Sequence, residues 1–223
     1  MLERKGRWFY QYYPDNPLIS LIRFSSDSEF EVFLKSGKVK TYYVQIDAIY
    51  LSQYGIPLSE DGTRMYLSGW ERGTGLNAYN TLTGELIWRM KTSKIRSVFV
   101  FHDYGVALRY ADALLKFDLI TGELLDSMKS TSITEMYLLI NEIVLVDRFK
   151  RNLSIIDLRE FRIKQRIPEK YVNPNDCLSC VIVNAEINDN ELLLTGFEQH
   201  PNKQHSKDAP INYRRAIPIS FTD

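Results

Sequence analysis

Residues 78–90 read AYNTLTGELIWRM, and 38 positions later residues 116–128 read KFDLITGELLDSM. Each copy joins an apolar run to a second apolar run through a polar turn, Thr83-Gly84-Glu85 in one and Thr121-Gly122-Glu123 in the other. Glycine reaches the positive φ that a tight hairpin turn demands, and the flanking runs supply two strands. A third, eroded copy lies at 152–167, NLSIIDLREFRIKQRI, where Ile156-Asp157-Leu158 repeats Phe117-Asp118-Leu119 at a spacing of 39 without the glycine. A hairpin cannot bury its own apolar face. Repetition at this period therefore implies a stack of small β units.

Each phrase has further strand-like runs upstream: TRMYLSGW (63–70), YGVALRY (104–110) and EIVLVDR (142–148). The second and third units also open on apolar runs, Val98–Phe101 and Met136–Ile140. Four strands in about 40 residues is the blade of a β-propeller. The ends fit the same frame. VIVNAEINDNELLLTGFE (181–198) and INYRRAIPISF (211–221) make three strands, and PLISLIRF through AIYLS makes a diverged first unit. The expected fold is all-β, a small single-domain propeller over 1–223 with about five four-stranded blades. RWFYQYY (7–13) is expected to be the strand that closes the ring, because an unpaired edge invites association. Asn80, Asp118 and Asp157 hold one repeat position, which predicts a turn-capping role for each.

LNAYNTLTGELIW (76–88) resembles the quinoprotein-type propeller repeat, and LLKFDLITGELLD (114–126) is a second match. The resemblance implies that Gly84 and Gly122 make the turn between the third and fourth strands of a blade. It also implies that Trp88 packs between blades. Asp126 stands where the second copy would carry tryptophan, so docking there must differ. The redox members of that superfamily have more blades, an export signal and an adjacent cysteine pair. This chain shows none of those features, and fold likeness does not transfer chemistry.

Lys+Arg and Asp+Glu both number 28, which argues against a broad phosphate-binding surface. The N-terminus has no apolar signal core and no run approaches a membrane span. With two cysteines and no export signal, the expectation is a cytoplasmic protein with free thiols that binds neither nucleic acid nor membrane. No phosphate loop, nucleophile elbow or metalloprotease motif occurs. His102-Asp103 reads as a turn.

One constellation has metal-ligand spacing. Cys177 and Cys180, followed by His200 and His205, carry the ligand types of a structural zinc site, and a hairpin turning at Asn188–Asn190 would bring their ends together. The competing reading makes Cys180 a small strand residue and places the histidines in a polar loop. No other cofactor is expected.

The expected function is a non-catalytic protein-binding module whose loops on one face contact another protein, as an immunity protein neutralising a toxin or as an assembly subunit. Trp70, Arg72, Arg148 and Phe149 are the expected contacts, since aromatics and arginine dominate binding hot spots. The alternative is a small hydrolase or lyase with its site in the propeller's central channel. That reading would need polar inner strands, and VFVF and MYLLI are apolar.

Overall fold

The computed structural model describes residues 2–25, 29–44, 49–50, 55–69, 75–92, 94–109, 113–129, 133–138, 142–147, 152–167, 180–188, 191–198 and 211–218. Every regular element among them is a strand, and the strands form five antiparallel meanders. The fold is all-β, as expected. The chain divides into two compact units, Met1–Thr131 and Ser132–Asp223.

The first unit holds three sheets. Sheet one contains β1 (Leu2–Lys5), β2 (Trp8–Tyr12), β3 (Ile19–Ser25), β4 (Glu29–Leu34) and β5 (Val39–Tyr43). Sheet two contains β6 (Ile49–Tyr50), β7 (Arg64–Gly69), β8 (Leu76–Asn80) and β9 (Leu86–Met90). Sheet three contains β10 (Ile95–Val100), β11 (Tyr104–Arg109), β12 (Ala113–Asp118) and β13 (Leu124–Lys129). In the second unit, sheet four contains β14 (Ile133–Leu138), β15 (Glu142–Asp147), β16 (Asn152–Asp157) and β17 (Arg162–Ile167). Sheet five contains β18 (Cys180–Asn188), β19 (Glu191–Glu198) and β20 (Ile211–Pro218).

Sheets of the first unit pack face on face, and the period-2 alternation of each strand decides which residue meets which neighbour. Met65, Leu67 and Tyr79 of sheet two join Ile22, Phe24, Phe30 and Val32 of sheet one. Tyr66, Ala78 and Trp88, on the other face of sheet two, join Ala107, Leu115 and Phe117 of sheet three. A sheet buried on both faces needs apolar residues at consecutive positions, which is why Met65-Tyr66-Leu67 and Val106-Ala107-Leu108 show no alternation. In the second unit Tyr137, Val144, Val146 and Ile155 share a core with Leu192, Leu194 and Ile217.

The repeated phrase is the hairpin between the last two strands of a sheet. Gly84 and Gly122 both sit at φ 75°. Gly84 N–H donates to Asn80 O at 2.8 Å and Gly122 N–H to Asp118 O at 3.0 Å. The third turn keeps the same backbone without glycine, because Phe161 adopts φ 49° and buries its ring. The capping expectation holds at all three positions. Asn80 Oδ1 accepts from the N–H of Leu82 and Thr83 at 2.8 and 3.2 Å, and Asp157 Oδ1 from Arg159 and Glu160 at 2.8 and 3.0 Å. Asp118 Oδ1 accepts from Ile120 N–H, Thr121 N–H and the Thr121 hydroxyl. Just after each turn the register slips by one residue, which leaves Ile87, Leu125 and Lys164 as the extra residue of a β-bulge.

Trp88 packs between sheets as the repeat resemblance implied. Its indole N–H donates to Leu119 O at 3.1 Å, and its ring lies over Gly122, where a Cβ would meet it at 2.6 Å. One sheet earlier Tyr42 does the same work, lying over Gly84 and donating its hydroxyl to Thr81 O at 2.7 Å. Thr81 and Leu119 are one repeat apart. Glycine is required at these two turns for its missing side chain as well as its backbone.

One expectation is corrected. Residues 7–13 do not form a closing strand; β2 lies inside sheet one, paired to β1 on one side and β3 on the other. The short Gly6 turn and the Asn16 turn make the local hairpins far cheaper in chain entropy than a remote pairing. Sheet one accordingly has five strands rather than four, and sheet five shows three among the described residues.

Candidate functional site

The first unit carries a cleft of about 700 Å³ at the end of the sheets where the Asn80- and Asp118-type turns lie. Three connections build it. The first is Ser59-Glu60-Asp61-Gly62-Thr63, which leads into β7. Here Asp61 Oδ1 accepts from the Ser59 hydroxyl at 2.6 Å and from Thr63 N–H at 3.0 Å, and Oδ2 accepts from the Thr63 hydroxyl at 2.8 Å. Asn16 Nδ2 ties this loop to sheet one by donating to Ser59 O at 3.4 Å. The second is the β10–β11 turn with His102 and Asp103, and the third is the β12–β13 turn at Asp118-Leu119-Ile120. Pro17, Arg64 and Tyr66 complete the walls.

Four carboxylates thus face one guanidinium and one imidazole. At Asp61 burial alone would raise the pKa, but the Ser59 hydroxyl, the Thr63 N–H and hydroxyl, and the charge of Arg64 together hold it below the usual carboxylate range. Asp118 is also held low, first by the Thr121 N–H bond and then by Ile120 N–H, the Thr121 hydroxyl and Arg64. Burial pushes the Tyr66 hydroxyl up to about 12, and that hydroxyl donates to Leu119 O at 3.4 Å. His102 Nδ1 lies 2.7 Å from Glu60 Oε2 and Nε2 lies 3.5 Å from Asp103 Oδ1. Glu60 foremost, then Asp103, raises its pKa. All three of these side chains are exposed.

The cleft suits recognition of positive charge. Both oxygens of Asp61 and Oδ1 of Asp118 are already occupied by loop donors, and the two carboxylates stay ionised across the neutral range, so neither is poised to carry a proton. Ile120 stands 65% exposed beside them and adds an apolar rim.

Sequence reasoning placed contacts elsewhere. Trp70, Arg72, Arg148 and Phe149 lie outside the described residues, in the β7–β8 and β15–β16 connections. Cys177, His200 and His205 also lie outside the described residues, and Cys180 opens β18 with its backbone opposite Glu198. Among the described residues no group of three or more His, Cys, Asp or Glu is placed to hold a metal. The His102-Asp103 turn is where it was expected. Its approach to Glu60, 42 residues away, has no local sequence signal.

No family model matches the chain, and no curated protein matches it. Among many solved chains that do, the crystal structure of BamB from Moraxella catarrhalis superposes with a TM-score of 0.58 at 13% identity. The match covers 89% of this chain and 61% of that one, so the chain spans about three-fifths of that protein's length. At this identity the likeness is one of fold, that of a β-propeller.

Proposed function

We propose that the protein is a non-catalytic protein-binding module, an assembly subunit or a toxin-neutralising immunity protein, built on a propeller frame. The carrying observation is the cleft itself: carboxylates fixed by their own loops and edged by an exposed isoleucine. Such a surface suits a partner segment that offers lysine or arginine beside an apolar side chain, with affinity that falls as salt rises. Trp70, Arg72, Arg148 and Phe149 form a second proposed contact set.

Affinity capture on the immobilised protein, followed by mass spectrometry, tests this reading. Loss of the retained protein in Ile120→Glu/Asp103→Lys locates contact at the cleft. Loss in the quadruple alanine variant of the loop set locates it at the loops. The reading fails if the wild-type protein retains no partner, or if both variants retain it unchanged.

A further inference from the structure

The carboxylates of the cleft are of two kinds. Asp61 and Asp118 are bound by donors of their own loops, Asp61 through both oxygens and Asp118 through Oδ1. Both are held below the usual carboxylate range, so their charge is constant across the neutral range. Glu60 and Asp103 differ. Their side chains are 78% and 84% exposed, and among the described residues they bond only to the imidazole of His102. Glu60 meets Nδ1 at 2.7 Å and Asp103 meets Nε2 at 3.5 Å.

The two carboxylates open to a partner therefore share one counter-charge, and it sits on the side chain whose ordinary titration falls near neutral pH. The backbones on both sides are tied down. Asn16 Nδ2 donates to Glu60 O at 3.5 Å, Gly62 N–H to Ser59 O at 2.9 Å, and Phe101 N–H to Tyr104 O at 2.9 Å across the His102-Asp103 turn. What can change is the pairing of side chains, with the loops left in place. The other groups facing the imidazole in the cleft are Asp61 in the loop of Glu60, Arg64 at the start of β7, Tyr66 within it, and Asp118 in the β12–β13 turn. Arg64 keeps its charge, and the Tyr66 hydroxyl, pushed up to about 12 by burial, stays neutral. Neither follows His102 through the neutral range.

We propose that His102 gates the cleft by charge: its imidazolium holds Glu60 and Asp103 against a cationic partner segment at mildly acidic pH and releases both as pH rises. This rests on the reading of the cleft as a docking site for positive charge. Linkage makes the effect reciprocal. A lysine or arginine seated on Glu60 and Asp103 repels the imidazolium, so binding of the segment and loss of the His102 proton favour each other.

NMR amide shifts of the full chain test it, with a capped peptide of alternating arginine and leucine titrated at low salt. Between about pH 5.5 and about pH 8.5 the wild-type affinity is expected to rise roughly two- to fivefold, the size suited to exposed charges. His102→Arg, cationic throughout, is expected to keep the lower value at both pH values. His102→Asn, neutral throughout, is expected to keep the higher one. A role confined to the fold would not give two opposite plateaus. Wild-type affinity that is unchanged by pH, for a peptide that Ile120→Glu/Asp103→Lys no longer binds, overturns the gating while the docking reading stands. The same pH dependence in wild type and in both His102 variants also overturns it. A peptide that leaves the cleft amides unshifted at both pH values overturns the docking reading, and the gating with it.

Discussion

At the scale of single residues, the repeated turn uses its polar groups for the backbone. Asp118→Ala removes three acceptor bonds and is expected to cost about 1–2 kcal/mol in urea unfolding, whereas Asp118→Asn, the residue that nature places at position 80, should cost under ~0.5. Gly122→Ala combines a positive φ with a clash against Trp88 and is expected to cost about 2–4 kcal/mol. Gly37→Ala, at φ 83° with open space around the new methyl, should cost only about 1. His102 titrates in the opposite sense to a buried histidine. Its folded pKa lies above the usual 6.5, so the bond to Glu60 adds stability that is complete below that value and is lost as pH rises through the raised one. Both side chains are exposed, so the gain is small and salt-sensitive. Urea midpoints should show wild type exceeding His102→Ala at about pH 5.5 and converging with it by about pH 8.

At the scale of elements, the last strand of each sheet in the first unit is the least protected. β13 is exposed on both faces and β9 buries only Trp88, while β7 and β11 bury nearly every residue. Hydrogen exchange should therefore be faster in β9 and β13 than in β7 and β11. Trp88→Phe keeps the ring contact and loses the bond to Leu119 O, for an expected cost of about 1–2 kcal/mol; Trp88→Ala should cost about 3–5. Strands and turns were legible in the residues because their determinants are local: the positive φ of Gly84 and Gly122 and the capping bonds of Asn80 and Asp118 act within five positions, whereas the rings lying over the two glycines come from a different sheet. The placing of β2 was misread for the same reason. Aromatics on both of its faces suggested a strand at a closure, while the pairing was set by the Gly6 turn and by Phe9 opposite Phe24. The cleft was illegible because Ser59, His102 and Asp118 come from three connections and meet only once the sheets have stacked.

At the scale of the whole molecule, equal numbers of acidic and basic residues and a pI near 6.8 leave little net repulsion between copies at neutral pH. Solubility at low salt is expected to pass through a minimum near that pH and to rise on either side, as turbidity would show. A chain with so little electrostatic repulsion needs other means of limiting contact. The one-residue slips at Ile87, Leu125 and Lys164 supply one. A straight last strand would offer an unbroken row of amides and carbonyls to the same strand of another copy. That copy would offer its own in turn, and growth would have no natural end. Two residues set against one break that row at the same place in three sheets, so those three edges are poor templates for fibre growth.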